Sequence, residues 1–156
     1  MSSIQDTERA RQVLIRALQA AYPHANVPRG PYERTADKLI ADAAGSAYNQ
    51  AILQQGLADL DALADGDFVG VSNAEGYKIL NRIEATPFFG YVRRFTTVVL
   101  YDDPETWAAL GYEGSSFDKG GYLGRGFNDL DWLPEPRITE YDGPVKFVPI
   151  KTSTGA

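Results

Sequence analysis

At 156 residues, with 23% charged and 44% hydrophobic side chains, the chain has the make-up of one globular domain, able to remove roughly 70% of its extended-chain surface from water. A net charge of −6 with no offsetting Lys/Arg cluster argues against nucleic acid and anionic lipid as partners. The absence of cysteine excludes disulfides, thiolate nucleophiles and thiolate-held metal or iron–sulfur centres within the chain.

The expected architecture is mainly α. A small bundle of about five helices occupies residues 6–110, and a long irregular segment rich in glycine and aromatics occupies 111–156, all in a single domain. Asp6 or Thr7 caps the first helix, in which Val13, Leu14, Ala17, Leu18, Ala21 and Tyr22 recur at three-to-four spacing up to Pro23. After a turn-rich link, Pro31 is placed to open a second helix as its first residue. Its apolar stripe runs through Ala36, Leu39, Ile40, Ala43 and Ala47, then resumes at Leu53, Leu57, Leu60 and Leu63. The intervening Gly45-Ser46 marks either a kink in one helix or a break between two. Gly56 costs about 1 kcal/mol against alanine inside a helix, so its presence points to the close approach of a neighbour.

The stripe ends at Asp65-Gly66, and Phe68–Val71 is too short to separate a strand from a connector. Ser72-Asn73-Ala74-Glu75 has the pattern of a capping box, opening a helix whose buried side is Tyr77, Leu80 and Ile83. Pro87 opens the next, with apolar positions Phe88, Val92, Phe95, Val99 and Leu100. Pro104 to Leu110 makes a last short helix, closed by Gly111.

Beyond Gly111 the helical period is lost. Six glycines lie between Gly111 and Gly126, and only Val145–Val148 has the character of a strand. A segment of this length without periodic structure is unusual in a compact domain, where loops rarely exceed about 12–15 residues unless they are functional or disordered. Yet aromatic rings such as Trp107, Tyr112, Phe117, Tyr122, Phe127 and Trp132 are costly to leave in water. They are therefore expected either to wrap the chain's own helices or to lie along another protein, and they are the candidate partner interface.

The search for reactive chemistry returns weak signals. His24, the single histidine, has no second histidine or cysteine with which to share a metal. Asp59, Asp61, Asp65 and Asp67 lack the ligand order of a calcium loop and read as a solvated helix face. Gly121, Gly124 and Gly126 lack the strand-before, helix-after context of a dinucleotide loop. Asp102, Asp103, Asp118, Asp129 and Asp131 supply carboxylates for an acid–base pair of the kind glycosidases use, but no spacing singles two of them out. Arg93 and Arg94 interrupt an apolar helix, and one of them is expected to pair structurally with Asp102 or Asp103. No catalytic, cofactor-binding or metal-binding residue is assigned; Arg93, Asp102 and Gly111 are given structural roles.

Three stretches in a fixed order carry a resemblance. They are Phe88-Phe89 with Arg93 and Thr96, then Tyr101-Asp102-Asp103-Pro104, then Leu110-Gly111-Tyr112-Glu113-Gly114, with the Gly120–Pro134 run as a further match. Over residues 54–136 the chain resembles the gluconate 2-dehydrogenase subunit 3 family, the small subunits of flavin-dependent sugar and alcohol dehydrogenases. The resemblance implies a non-catalytic subunit that binds and stabilises a large FAD-bearing catalytic subunit and carries no cofactor itself. Electrons in such complexes pass to a cytochrome or iron–sulfur carrier. The alternatives are a free-standing carboxylate enzyme acting on carbohydrate, or a general protein-interaction module.

Many members of that family carry a twin-arginine export signal, and residues 1–6 show neither the basic start nor the apolar run of a secretory leader. No stretch approaches the roughly 20 apolar residues needed to cross a bilayer, so no membrane insertion is expected. A full-length sequence of this kind is expected to act in the cytoplasm, and a trimmed mature form in the periplasm.

Overall fold

The computed structural model describes residues 4–121 and Gly143, with side chains described from Glu8 onward. The chain divides into two units, residues 1–114 and 115–156. The first holds six α-helices packed as a bundle: α1 (Ile4–Ala21), α2 (Arg29–Ala44), α3 (Ala47–Leu63), α4 (Asn73–Arg82), α5 (Pro87–Val99) and α6 (Pro104–Leu110). A 3-10 turn, Phe68–Gly70, links α3 to α4, and the described part of the second unit contains another, Phe117–Lys119. No strand occurs among the described residues, and Val145–Val148 lies outside them.

The core is built around α1. Val13, Leu14, Ile15, Ala17, Leu18 and Ala20 are all buried, which is more than one face of a helix. A helix apolar on most sides must be surrounded, and α2, α3, α4 and the Phe68 turn all pack on it. Its polar residues reach the surface and tie the surroundings down. Arg16 donates to the Val71 carbonyl through Nε (3.0 Å) and Nη2 (2.6 Å), and its Nη1 donates to Asn73 (2.6 Å). Partial burial lowers the pKa of this guanidinium. Arg9 grips Asp61 at the end of α3 through Nε (3.2 Å) and Nη2 (2.9 Å).

The helix ends follow local rules with a few displacements. α1 begins at Ile4, so Asp6 and Thr7 lie inside its first turns rather than at its cap. α2 begins two residues before Pro31, because Pro28 supplies the extended residue that precedes it. Gly45-Ser46 is a break. Ser46 is extended and its side chain accepts from the Asn49 amide, so two helices result, and Ala47 becomes an exposed first residue of α3. Ser72 caps α4 by accepting from Glu75 N, as its sequence pattern predicts. Tyr77, however, is 54% exposed. Gly76, Ile79, Leu80 and Ile83 form the buried side of α4, because Gly76 lets the helix lie close to α1, where a Cβ on it would stand 2.9 Å from that of Ala20.

Gly56 plays the same part between α3 and α5. A Cβ there would fall 2.0–2.6 Å from three ring atoms of Phe88, so the ring occupies the space a side chain would need. This is the neighbour that the helix-interior glycine implies. We expect Gly56→Ala to destabilise the fold by about 1–3 kcal/mol, overpacking outweighing the roughly 1 kcal/mol gain in helix propensity. A chemical-denaturation midpoint unchanged or raised by this substitution would show that α3 and α5 are not so closely packed.

Candidate functional site

Of the carboxylates singled out by the sequence, Asp103 stands at the junction of α5 and α6. Asp103 is the N-cap of α6, accepting from the Glu105 amide (3.0 Å), and its side chain is only 9% exposed. Its ionic partner is Arg34 of α2. Arg34 Nε donates to one Asp103 oxygen (2.7 Å) and Nη2 to the other (2.8 Å), and Nη2 also donates to Glu105 Oε2 (2.7 Å). Gly30 leaves room for this clamp, since a Cβ on it would sit 3.1 Å from both Arg34 Nη1 and Glu105 Oε2. The expected pairing of Arg93 or Arg94 with Asp102 or Asp103 is therefore corrected. Both arginines and Asp102 are exposed, and the counterion of Asp103 arrives from a helix 69 residues earlier. No local pattern announces Arg34, because the contact exists only once α2 lies beside α6.

The hydrogen bonds from Arg34 hold the Asp103 carboxyl below the usual aspartate range, against the opposing pull of burial. Asp103 is thus committed as an anion on both oxygens, an arrangement suited to anchoring α6 and unsuited to proton transfer with Asp102. Two further polar ties join the same helices. Tyr91 on α5 donates to Asp42 on α2 (2.6 Å), and its own burial raises its pKa. His24 Nε2 lies 2.6 Å from the Tyr101 hydroxyl, and the two rings meet edge to face. The lone histidine is thus a tie between the α1–α2 link and the end of α5.

At the other end of α6, Gly111 adopts φ 74°, the left-handed conformation in which the chain turns out of the helix. Tyr112 N then donates to Trp107 O (2.9 Å), and the Tyr112 and Trp107 rings pack edge to face with centroids 5.5 Å apart. This is a helix-terminating motif in which the residue past the glycine packs on the last turn. Trp107 also donates its indole N–H to Tyr101 O (2.5 Å). Two candidate interface rings are thereby used within the fold, yet not fully. Trp107 is half-buried, Tyr112 is 53% exposed and the neighbouring Leu110 47% exposed. Phe117 and Asp118 lie in the 3-10 turn of the second unit. Tyr122, Phe127, Trp132, Asp129, Asp131, Gly124 and Gly126 lie outside the described residues.

A second surface was not foreseen from sequence. Between α1 and α5, with Leu80 of α4 contributing, runs an apolar groove of about 230 Å³. A shallower depression of about 440 Å³ between α3 and α5 is bordered by Tyr48, Glu84 and Arg94 and carries both signs of charge. Among the described residues no cluster of His, Asp and Glu is arranged to hold a metal, and no helix is long and apolar enough to cross a membrane. Of Asp59, Asp61, Asp65 and Asp67, three do more than face solvent: Asp59 accepts from Gln55, Asp61 from Arg9 and the Phe68 amide, and Asp67 caps the turn that follows α3. No protein-family model, curated protein or solved structure matches the chain.

Asp103→Asn removes the charge of a nearly buried cap while leaving its shape. It is expected to lower stability at neutral pH by about 2 kcal/mol, combining a weakened cap with loss of the charge-assisted pair. A carboxyl with a depressed folded pKa stabilises fully above its unfolded value, about 3.9, and loses that contribution as pH falls through the lower folded value. The gap between wild type and variant should therefore close below pH ~4 in denaturation midpoints. A gap that persists unchanged into strong acid would show that the ion pair contributes nothing.

Proposed function

We propose that this chain is a non-catalytic small subunit that binds and stabilises the FAD-containing catalytic subunit of a sugar, polyol or alcohol dehydrogenase, assembled as a hetero-oligomer. FAD belongs to the partner, and a cytochrome or iron–sulfur protein serves as its electron carrier.

The observation that carries this reading is the use to which the resembling residues are put. Phe88 fills the space over Gly56, and Thr96 is buried inside α5. Asp103 caps α6 and anchors Arg34; Gly111 and Tyr112 terminate α6 against Trp107. Each serves packing or helix termination along α5 and α6. A pattern made of such residues supports a scaffold role over a catalytic one. Among the residues exposed at the end of α6 are Leu110 and Tyr112 beside Trp107, in keeping with interfaces enriched in aromatic anchors.

Purified alone, the chain should be colourless and should not turn over sugars or alcohols. Produced together with the flavoprotein dehydrogenase of its own source, it should elute in a yellow complex containing both chains. Leu110→Asp should weaken that complex at least about tenfold, as truncation of an interface anchor does. Turnover by the colourless single chain, or a flavoprotein that emerges without it, would overturn the reading.

A further inference from the structure

The groove between α1 and α5 has the construction of a docking site. α5 packs on α3 and α2, while α1 presents toward α5 only the small side chains Ala17 and Ala21, so a channel stays open between them. Leu80 closes one side, and Phe88, Phe89 and Val92 line the other. Its shape is held in place: Tyr22 at the rim donates to the Arg93 carbonyl (3.4 Å) and shares a hydrogen bond with the Thr97 hydroxyl (3.2 Å). The remaining rim residue is Arg93, whose side chain is exposed.

Charge decides what would lie there. Arg9, Arg11, Arg29 and Arg34 each pair with a carboxylate, and Arg16 is bound to Val71 and Asn73. Among the described residues Arg93 makes no ion pair, and neither do Arg94 one position on and Arg82 at the end of α4, in a chain with 21 acidic and 15 basic residues; of the three only Arg93 borders the groove. A guanidinium with no counterion among the described residues, beside an apolar wall, suits an incoming carboxylate joined to an apolar group. Size decides the class of ligand. At about 230 Å³ the groove is smaller than the roughly 300–1,000 Å³ of small-molecule sites, and it matches one bulky side chain supplied by a larger partner.

We infer that the α1–α5 groove receives an amphipathic segment of a partner protein, which inserts one large apolar side chain between Ala21 and Phe89 and sets a carboxylate, one helical turn away, on Arg93. This is helix-in-groove recognition with a single charged pin. It goes beyond the companion-subunit reading and does not require the partner to be a flavoprotein.

The test uses the full chain and needs no flavoprotein. Two short acetylated peptides are titrated into the isotope-labelled protein and followed by amide NMR. Both carry a Phe/Leu stripe at helical spacing, one flanked by glutamates and the other by lysines in the same places. The glutamate peptide should shift Ala17, Ala21, Leu80, Val92 and Arg93 selectively, and should bind at least about tenfold tighter than the lysine peptide. Arg93→Glu, an exposed change that spares the core, should reverse the preference. Ala21→Trp should fill the groove and abolish the shifts; because that variant can perturb packing, its melting curve is compared with wild type and Arg93→Glu serves as the independent check. Equal affinity for both peptides, absence of shifts at the groove, or concentration-dependent shifts at the same residues without peptide, which would assign the groove to a second copy, would each overturn the inference. FAD co-purification speaks only to the companion-subunit reading, so the two can fail separately.

Discussion

Much of this fold follows from a helix that cannot be left facing water. From Val13 to Ala20, α1 buries residues on almost every side, and a cylinder of apolar surface can be covered only by elements arriving from several directions. α2, α3, α4 and the Phe68 turn do so, and the closest approach is set by Gly76 against Ala20. α5 then settles over α3 where Gly56 leaves room for Phe88. The bundle is thus a hierarchy: one buried helix, a shell around it, and a fifth helix on the shell. α6 comes last, held to α2 by a charged clamp.

That clamp is worth considering beside the apolar contacts. Asp103 both caps α6 and binds Arg34 through two hydrogen bonds, so a short helix that could not persist alone is held at its first residue. Arg34 is about half exposed and Asp103 nearly buried, so removing the charge of the carboxylate costs more than its surface position suggests. The opposite end of α6 is held by Gly111 and by the Trp107–Tyr112 contact. α6 is therefore secured at both ends, and its exposed residues are presented in a defined geometry.

The two candidate surfaces differ in kind. The Leu110–Tyr112 stretch exposes apolar side chains, with the Tyr112 ring already engaged with Trp107. The α1–α5 groove is concave, apolar within and cationic at its rim. Neither converges on a nucleophile or an acid–base pair: the carboxylate best placed by the fold, Asp103, is neutralised by Arg34, and the single histidine is tied to Tyr101. Both surfaces have the character of contact sites, and they are independent enough to be tested one at a time.

Local chemistry was legible in the sequence because it acts over a few residues. Apolar spacing located α1, α4, α5 and the stripe that α2 and α3 share, though not whether Gly45-Ser46 kinks or breaks it, and Pro104 and Gly111 bounded α6. Ser72 and Pro87 marked helix starts, and Gly111 marked a helix end, since caps and left-handed turns depend on near neighbours alone. Gly56 announced that something approaches it, though not that the something is Phe88. What the tertiary structure alone decided was every contact that spans many residues: Arg34 as the partner of Asp103, Tyr91 on Asp42, Tyr77 turned outward, and the groove that opens beside Ala21. A charge or a ring carries no mark of its distant partner. That partner is chosen by how buried helices settle against one another, which the linear order of residues constrains but does not spell out.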